Sequence, residues 1–573
     1  MKSLLREGRR WRLASPPDED LVKEIQLSLG CARAFAAVLA QRGCEAWPRL
    51  IDPGERHLHP PDGLLDMAVA VARLTEAVER GERVFIHGDF DVDGLTGAAV
   101  LYRGLHPLLP KGSMKVDVGD RQRGHGLSRA FVRRVIDEGF HLVITADCGV
   151  TNLEEIAALR DAGIDTIVTD HHIPPPNLPP ALAIVDPHRP EERYPNRHLA
   201  GVGVAYKLIC AFYKHLQRSA PDHLLDLVAL GTIADLVPLS DGGEVENRAM
   251  VRAGFSLIAQ GTGSSLGLRA IIERLSVNPK RLSAADIGYV VAPKLNAANR
   301  AGDPKVAFLL LTTSVPERAE YLIEALLDYN RDREIAQEDL IAQAEERMAE
   351  EGNDPRQDGV VFVVGTYWNE GVLGLAASNL ADRYGVPAVV VSQGDRVSRG
   401  SCRSVTGFDM MACLETHAEL LVQYGGHEMA AGFSAANEVL PVLKERLSAY
   451  VHQWVPPAGG RAGEIDSEVS AEEIDLRFYT NIRSLAPYGP GNAAPRFMLR
   501  SCAFEDLTLV GARRQHLKGK LVQDGLALPF IAFRMGRHLT TFEGVRGASL
   551  VFRAGFDDWR SDVQVEAVDL VEE

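Results

Sequence analysis

Two sequence features are missing from this chain: closely spaced cysteine pairs and long apolar runs. The seven cysteines are scattered, odd in number and form no C-x-x-C pair, so neither a disulfide framework nor a zinc ribbon is indicated. No stretch approaches the roughly 18 uninterrupted apolar residues of a membrane span. The opening "MKSLLREGRRWRL" lacks the apolar centre of a secretion signal. We therefore expect a cytoplasmic protein that does not enter a membrane.

Positive charge is also in deficit, because 62 lysines and arginines stand against 78 acidic residues and leave a net charge of −16. This balance argues against a uniformly basic nucleic-acid-binding protein but does not exclude local basic patches. One such patch is "RQRGHGLSRAFVRRV", residues 121–135, with five arginines and no acidic residue. The patch is either a solvated helix face or a local binding surface, and both interpretations stay open.

The sequence contains enough apolar residues for several globular units. At 573 residues, the chain is long enough for about three or four domains. From residue 84 to about 240, short β-rich runs alternate with helical patterns, which predicts βαβ units in a parallel sheet. We predict an α/β fold with these segments: 1–57, an N-terminal helical segment; 58–240, a first α/β domain; 241–350, a helical spacer; 351–454, a second α/β domain; 455–495, a linker and acidic helix; 496–573, a small β-barrel.

Acidic residues stand at the ends of the predicted strands. The runs "RVFIHGD", "HLVITAD", "DTIVTD" and "ALAIVD" each end in Asp, and parallel strands bring their carboxyl ends to one edge of a sheet. The ordinary alternative is that each Asp caps the next helix and each His is a core residue. The candidates, taken together as strand-end residues, are His87, Asp89, Asp91, Asp93, Asp147, Asp170, His171, His172 and Asp235 in "GTIADLVPL".

So many carboxylates at one edge require a compensating positive charge. A buried pair of like charges strongly raises the pKa of one member, whereas divalent cations relieve the repulsion. Oxygen ligands with one or two imidazoles suit Mn²⁺ or Mg²⁺ better than Zn²⁺. The set has enough ligands for two ions, and a pair about 3.5–4 Å apart is the usual arrangement for in-line displacement at phosphorus.

The order of the motifs adds a family resemblance. "HGDFDVDGLTG", "TADCGVTN", "VTDHH", "HLAGVGVAYKL" and "LLDLVALGTIADLVPL" resemble the motifs of the DHH phosphoesterase superfamily, and specifically of the bacterial RecJ exonucleases. Downstream, "APKLNAANRAGDP", "GSCRSVTGFD" and "YGGHEMAAGFS" are similar to that family's linker and DHH-associated domain. "LAPYGPGNAAPRF" resembles the approach to its OB-fold. The match is nearly collinear from about residue 58 to 535.

The resemblance implies roles for the acidic and imidazole side chains. Asp91, Asp93, Asp147, His171 and Asp235 are expected to ligate two divalent ions, with Asp147 bridging them. His87 and Asp89 are expected to be further ligands or neighbours of the ligands. His172 is expected to contact the scissile phosphate, so Asp147 and His172 are the predicted catalytic residues.

The resemblance also implies a substrate-binding set. Arg121, Ser401 and Arg403 are expected to hold a 5′-terminal phosphate, and Arg300 to contact the strand. Arginine suits bidentate phosphate recognition better than lysine does, and paired glycines let backbone N–H groups approach a phosphate closely. The glycine pair is in the "GGH" motif, formed by Gly425, Gly426 and His427, for which an ordinary tight turn is the alternative.

The sequence departs from the family pattern at several positions. Asn299 stands in "NAANR" where glycine is usual, and Asn369 and Glu370 replace a usual His-Pro. His125 in "RGHGL" occupies a position where Tyr is common, and Ala146 replaces a usual Val. Asparagine tolerates positive φ better than most residues, so we expect the turn at residue 299 to survive. None of these departures removes a predicted metal ligand.

The resemblance implies a metal-dependent exonuclease that degrades single-stranded DNA from its 5′ end to 5′-mononucleotides in recombination and repair. We expect a monomer that binds single-stranded DNA and works with a helicase and a single-strand-binding protein. Two other classes stay open: a phosphodiesterase for short or cyclic oligonucleotides or a manganese pyrophosphatase, and a non-catalytic replication scaffold. The barrel aromatics Phe497, Phe504, Phe530, Phe533 and Trp559 are expected to be mostly core residues, with some available to stack on bases.

Overall fold

A computed structural model describes most of the chain. The described residues are 1–6, 9–42, 47–121, 124–261, 263–454, 462–511, 513–545, 547–557 and 560–572. Within these ranges, no helix combines the length and the apolar character that crossing a membrane requires.

The strands belong to three sheets. In chain order they are β1 (Lys2–Ser3), β2 (Arg10–Leu13), β3 (Val84–Gly88), β4 (Met114–Val118), β5 (Leu142–Ala146), β6 (Asp165–Thr169), β7 (Ala183–Val185), β8 (Val361–Thr366), β9 (Ala388–Gln393), β10 (Val397–Arg403), β11 (Gln423–His427), β12 (Ala430–Ala436), β13 (Ala462–Ile465), β14 (Ser467–Glu468), β15 (Phe497–Val510), β16 (His516–Gln523), β17 (Leu526–Ala532), β18 (Ala548–Asp557) and β19 (Asp562–Glu572).

The helices alternate with these strands and fill the middle of the chain. They are α1 (Glu19–Leu29), α2 (Arg33–Arg42), α3 (Trp47–Ile51), α4 (Met67–Glu79), α5 (Val92–Leu105), α6 (Arg129–Asp137), α7 (Leu153–Asp161), α8 (Gly201–His215), α9 (Leu225–Ala234), α10 (Glu246–Gln260), α11 (Leu266–Arg274), α12 (Ala284–Asp286), α13 (Ala292–Ala301), α14 (Lys305–Thr312), α15 (Pro316–Glu350), α16 (Pro355–Asp358), α17 (Glu370–Tyr384), α18 (Met410–Glu415), α19 (Leu440–Gln453), α20 (Leu476–Ser484) and α21 (Leu539–Gly544). A π-helical turn, Ile287–Val291, leads into α13.

The chain folds into two compact units. Unit 1 comprises Met1–His59, Leu236–Arg252 and Gly459–Glu573, and unit 2 comprises Pro60–Asp235 and Ala253–Ala458. Unit 1 therefore takes residues from three separate stretches of the sequence. The segments predicted from the sequence are continuous stretches of chain, whereas these units are defined by contacts in space, so the predicted boundaries stay predictions.

Unit 2 contains two sheets. The first has the order β4-β3-β5-β6-β7 and is parallel throughout, as the alternating pattern predicted. Its strands β3 and β5 are buried along their whole length, because helices cover the parallel sheet. The second sheet has the order β11-β12-β10-β9-β8, in which β8 and β9 are parallel and the other pairs are antiparallel. The long helix α15 precedes this second sheet in the sequence.

Unit 1 is built on a β-barrel. Strand β15 pairs with β16 and β18, β17 pairs with β16 and β19, and β18 pairs with β19, so the circuit of strands closes on itself. Closure removes exposed strand edges. Residues 1–57 contribute helices α1–α3 and also strands β1 and β2, which extend the barrel sheet. Trp11 of β2 is buried, and its Nε1 donates a hydrogen bond to Asp569 Oδ2 at 2.8 Å.

Candidate metal centre and nucleic-acid cleft

Most of the predicted ligands meet at the carboxyl edge of the parallel sheet. Asp89 follows β3, Asp147 follows β5, and His171 and His172 come just after β6. Because β3, β5 and β6 are neighbours in register, the loops after them are neighbours too. Asp235, which the sequence analysis grouped with the strand ends, instead follows helix α9. That part of the prediction was wrong, although Asp235 still reaches the same site.

Three overlapping groups of side chains could each hold a metal ion. The donor atoms within each group lie within 4.8 Å of one another. The groups are Asp147 with His171 and His172; Asp93 with His171 and Asp235; and Asp89 with Asp91 and Asp147. Asp147 and His171 each belong to two groups. The shared members link the groups into one continuous cluster with enough donors for more than one cation.

Two helix N-termini shape the first part of the cluster. Asp91 is the N-cap of α5, and its Oδ1 accepts hydrogen bonds from the N–H groups of Asp93 and Gly94 at 2.9 and 3.1 Å. The Asp93 carboxylate accepts from Gly201 N at 2.6 Å and from Val202 N at 2.9 Å, at the start of α8. Backbone donors at a helix N-terminus stabilise an anionic carboxylate. Asp91 therefore both caps a helix and belongs to a potential ligand group.

Gly201 permits the approach of α8 to Asp147. A Cβ at this position would lie 2.5 Å from Asp147 Cβ and 2.7 Å from Asp147 Oδ1. Asp147 has a φ of 62°, a left-handed conformation that is uncommon outside glycine, asparagine and aspartate. Its N–H donates to Thr169 O at 2.9 Å, which ties the residue after β5 to the end of β6. The strained backbone at Asp147 is fixed by the surrounding sheet.

The carboxylates of the cluster repel one another. Burial and the charges of neighbouring aspartates raise the pKa of Asp93 to about 7 and that of Asp235 to about 9. Burial and four neighbouring aspartates also raise the pKa of Asp147 well above its ordinary value. Asp147 Oδ1 accepts no hydrogen bond from the described residues, although His171 Nε2 lies 3.1 Å away outside hydrogen-bonding geometry. Crowded oxygen donors of this kind fit hard divalent cations such as Mn²⁺ and Mg²⁺.

The two adjacent histidines have opposite electrostatic environments. Burial and the neighbouring His172 lower the pKa of His171 to about 3, which favours the neutral imidazole that a metal ligand requires. Burial alone would lower the pKa of His172 as well, but the hydrogen bond and charge of Asp170 raise it to about 9. Asp170 Oδ1 lies 2.8 Å from His172 Nδ1, and Asp170 Oδ2 accepts from Val150 N at 3.0 Å. Asp170 thus fixes the His172 ring and favours its protonated form.

One predicted ligand lies apart from the three groups, and one neighbour was not predicted. His87 is buried and borders a separate cavity of about 200 Å³ with Asp117 and Arg134, where neither ring nitrogen has a hydrogen-bond partner among the described residues. His125 Nδ1 lies 3.2 Å from Asp89 Oδ1, and its ring centroid lies 4.6 Å from that of His172. From the sequence, His125 stands out only as a departure from the family pattern. The available signal was its position in the basic stretch after β4.

Arginines line a cleft next to these loops. Two cavities, of about 1030 and 350 Å³, share Asn299, Arg300, Glu370 and Arg399 in their linings. Burial and the charges of Arg121, Arg333 and Arg403 lower the pKa of Arg300 to about 9. Burial also lowers the pKa values of Arg121 and Arg403, with a contribution from Arg121 at the latter. Crowded guanidinium groups in a cleft favour an anionic ligand.

Ser401 and Arg403 lie together on β10. Ser401 lines the smaller cavity with Arg121, and Arg403 Nη1 donates to Cys402 O at 2.7 Å. A Cβ at Gly374 of α17 would lie 2.7 Å from Arg403 Nη2 and 3.1 Å from Ser401 Oγ, so glycine leaves space for both side chains. Arg300 Nη1 donates to Gly371 O at 2.7 Å, at the start of the same helix. The four residues predicted to bind the phosphate and the strand thus lie around the first turn of α17. They are Arg121, Arg300, Ser401 and Arg403.

The "GGH" motif lies on an exposed edge strand. Gly425, Gly426 and His427 belong to β11, which pairs with β12 on one side and is exposed along its length. Gln423 of the same strand lines the smaller cavity with Arg121 and Ser401. The motif is therefore part of a strand and not the tight turn that was the alternative. The three residues belong to none of the three potential ligand groups.

The departures at residues 369 and 370 change the rim of the cleft. Asn369 caps α17, and its Oδ1 accepts from Gly371 N at 2.9 Å. Glu370 Oε2 lies 2.9 Å from Arg399 Nη1. Both residues of this ion pair line the cleft. The replacement therefore introduces a carboxylate that neutralises one arginine of the cleft.

The barrel of unit 1 buries most of its predicted aromatics. Phe497 and Phe530 are buried, and Phe504 packs against them as a partly buried residue. Phe533 is 51% exposed and lies edge-on to His516, with ring centroids 5.4 Å apart. Trp559 lies outside the described residues. Among the four described members of this set, Phe533 is thus the best placed to stack on a base.

A parallel sheet that gathers carboxylates and imidazoles at its carboxyl edge, beside a cleft lined by arginines, defines a divalent-metal-dependent phosphoesterase. Comparison with protein families gives three matches in the expected order. The DHH family N-terminal domain matches residues 83–232, the DHHA1 domain matches 357–453, and the RecJ OB domain matches 465–568.

Whole-chain comparisons agree with these matches. The single-stranded-DNA-specific exonuclease RecJ of Bacillus subtilis is 31% identical over 572 residues, which cover 97% of this chain and 70% of that protein. The crystal structure of RecJ in complex with Mn²⁺ from Thermus thermophilus has a TM-score of 0.84 at 29% identity, covering 99% of this chain and 80% of that one. The Mg²⁺ complex from the same organism gives 0.78 at 27% identity, covering 99% and 79%. The chain belongs to the RecJ family.

Proposed function

We propose that this chain is a 5′ to 3′ exonuclease that hydrolyses single-stranded DNA to 5′-mononucleotides in DNA recombination and repair. The observation that carries the proposal is that carboxylates and imidazoles from separate segments of the chain lie within 4.8 Å of one another in three overlapping groups. The same unit also contains a cleft lined by arginines. The name of the Bacillus subtilis relative states single-stranded DNA as its substrate, and the match to the RecJ OB domain supports a strand-binding module in unit 1.

Two divalent ions, Mn²⁺ or Mg²⁺, fit the donor set of this site. The membership of Asp147 in two donor groups supports a bridging role for it. Such ions, when bound, polarise phosphoryl oxygens and lower the pKa of water for in-line displacement at phosphorus. The residues that would hold them are Asp91, Asp93, Asp147, His171 and Asp235, with Asp89 as a further ligand. His87 lies outside these donor groups.

Among the described residues of the site, His172 is suited to donate a hydrogen bond to the scissile phosphate. Its contact with Asp170 fixes the ring and favours the imidazolium form. An imidazolium held in place donates a hydrogen bond that strengthens as negative charge builds on a phosphoryl oxygen. Asp170 is itself held by the N–H of Val150, so the ring is positioned before a substrate binds.

The arginine cleft supplies substrate binding. Arg121, Ser401 and Arg403 would hold the 5′-terminal phosphate, and Arg300 would contact the following backbone. Capturing a terminal phosphate places the first phosphodiester bond at a fixed distance from the cluster, which favours removal of one nucleotide at a time. Phosphate contacts are independent of base sequence and weaken with salt. The exposed backbone of Gly425, Gly426 and His427 would add contacts to the strand.

The proposed substrate, single-stranded DNA, suggests which proteins act together with this chain. A helicase that exposes single strands and a single-strand-binding protein are the partners we propose, with the chain acting as a cytoplasmic monomer. A mixture of the purified proteins, followed by degradation of duplex DNA with a blunt end, tests the helicase partner. We expect degradation only when both the helicase and this chain are present.

Replacing Asp147 tests the proposed active site. The φ of 62° makes alanine unfavourable there, whereas asparagine tolerates the left-handed conformation. We therefore expect Asp147→Asn to retain the fold and to lose at least about 100-fold in turnover, with Asp147→Ala equally inactive. The assay follows end-labelled single strands, with and without a 5′ block, in Mn²⁺, Mg²⁺ or chelator.

The same assay separates the alternatives. A 5′ block should stop degradation of a long single strand, and chelator should stop it in either metal. Turnover on a dinucleotide that exceeds turnover on the long strand would favour a short-oligonucleotide phosphodiesterase. Wild-type activity in the Asp147 variants would contradict the placement of the site.

A further inference from the structure

Asn299 of α13 stands where the family resemblance leads us to expect glycine, and its side chain is fully engaged. Its Nδ2 donates to the Phe90 carbonyl oxygen at 2.6 Å and to Asn296 Oδ1 at 3.3 Å. Its Oδ1 accepts from Arg121 Nε at 3.3 Å. Asn299 is 9% exposed, and hydrogen bonds made away from water are stronger electrostatically than exposed ones.

Phe90 holds the same arginine from a second side. The guanidinium carbon of Arg121 lies 4.6 Å from the centre of the Phe90 ring, a favourable cation–π distance. Arg121 is thus fixed by an aromatic face and by an amide at Nε. Among the described residues, no acceptor takes a hydrogen bond from its two Nη atoms. A guanidinium fixed in this way presents its Nη pair for bidentate phosphate binding.

We propose that Asn299 is a positioning residue that fixes Arg121 for contact with the 5′-terminal phosphate of a single strand. The inference rests on the proposed function, because it requires a strand end in the cleft. Both Asn299 and Arg121 line the cavity that also contains Ser401. A glycine at residue 299 would offer Arg121 Nε no acceptor and Phe90 O no donor.

The loop that carries Asp89 and Asp91 is also held by hydrogen bonds that do not involve Asn299. A change at Asn299 can therefore affect strand binding without moving these potential metal ligands. Asp89 N donates to Ala146 O at 3.1 Å, and Asp91 caps α5 through two backbone N–H groups. Removing the Asn299 side chain therefore leaves Asp89 and Asp91 held by bonds of their own. The expected effect is on KM for a phosphorylated strand, with kcat little changed.

The experiment compares two strands of equal length and sequence, one with a 5′-phosphate and one with a 5′-hydroxyl, on the Mn²⁺-loaded protein. For Asn299→Ala and Asn299→Gly we expect KM on the phosphorylated strand to rise about 5- to 20-fold, with kcat within about two-fold of the wild type. KM on the 5′-hydroxyl strand should stay unchanged. Asn353→Ala removes a half-buried asparagine whose Nδ2 donates to Glu351 away from the cleft; it is the matched control and should leave both values unchanged.

A double-mutant cycle identifies the route of the effect. Because Asn299 is proposed to act through Arg121, Asn299→Ala should add nothing in an Arg121→Gln background. Three results would overturn the proposal: an equal rise in KM on both strands, additive effects of the two substitutions on KM, or an unchanged KM in both Asn299 variants. If wild-type protein degrades neither strand, the proposed function fails first, which keeps the two failures distinguishable. Asn299→Gly provides the test should Asn299→Ala not fold.

Discussion

Replacing Asp235 by asparagine should stabilise the metal-free protein while weakening its response to metal. The Asp235 carboxylate accepts no hydrogen bond from the described residues, and its side chain is 24% exposed. Burial and the charges of Asp93 and Asp91 raise its pKa to about 9. Asparagine has the same shape and no charge, so the substitution removes the repulsion and costs no hydrogen bond to the protein.

The magnitude follows from proton binding. A carboxyl whose folded pKa lies above its ordinary value of 3.8 binds more protons in the folded state, so folding stability falls as the pH rises from about 4 towards 9. At about pH 7.5 the raised pKa of Asp235 lowers the free energy of unfolding by at most about 5 kcal/mol, and at about pH 5 by at most about 2 kcal/mol. A buried amide with incomplete hydrogen bonding costs about 1–3 kcal/mol. The net gain is about 2–4 kcal/mol at the higher pH and near zero at the lower one.

Thermal unfolding after removal of metal by chelator measures this difference. We expect Asp235→Asn to unfold about 2–6 °C above the wild type at about pH 7.5 and within about 2 °C of it at about pH 5. Asp382→Asn makes the same chemical change at an exposed position of α17 and should shift neither value. Added Mn²⁺ should raise the unfolding temperature of the wild type more than that of Asp235→Asn, because binding to the folded state stabilises it by mass action.

Two results would refute this reasoning. If Asp235→Asn lowered the unfolding temperature equally at both pH values, the carboxylate would not be under repulsion from its neighbours. If Mn²⁺ stabilised the variant as much as the wild type, Asp235 would not contribute to metal binding. Nuclease activity at the wild-type level in the variant would lead to the same conclusion.

Two further predictions concern the binding of the strand. Glu370→Gln frees Arg399 at the rim of the cleft, so we expect about 3- to 10-fold tighter binding of single strands, most clearly at low salt, in a fluorescence anisotropy titration. Phe533→Ala removes an exposed aromatic side chain of the barrel, so we expect affinity for long single strands to fall by about 1–3 kcal/mol while turnover of short oligonucleotides is unchanged.

Each of these predictions has a matched control. Glu419→Gln breaks an exposed ion pair with Arg446 and should leave binding unchanged. Combining Glu370→Gln with Arg399→Gln should abolish the gain, and a gain that persisted would show that Arg399 is not its source. Leu526→Ala removes an exposed apolar side chain from β17. Equal losses in Leu526→Ala and Phe533→Ala would contradict base stacking at the aromatic position.

The sequence predicted the site where local pattern and topology coincide. Strands β3, β5, β6 and β7 each end next to an Asp in the sequence, and parallel pairing brings those ends together. Asp235 was misplaced because α9 is buried on nearly all sides, so its residues lack the 3.6-residue periodicity that identifies a helix. Strands β1 and β2 were missed because their partners lie at the other end of the chain, as the bond from Trp11 to Asp569 illustrates.

The departures from the family pattern lie together in space, which no local pattern could have indicated. His125 lies against Asp89, and Asn299 donates to the carbonyl of Phe90, the next residue in the chain. The ring of Phe90 in turn supports Arg121. Two unusual residues, 174 positions apart in the numbering of this chain, thus contact consecutive residues of one loop. That loop also carries Asp89 and Asp91, two members of one potential ligand group, so these departures contact the loop without replacing any donor of the group.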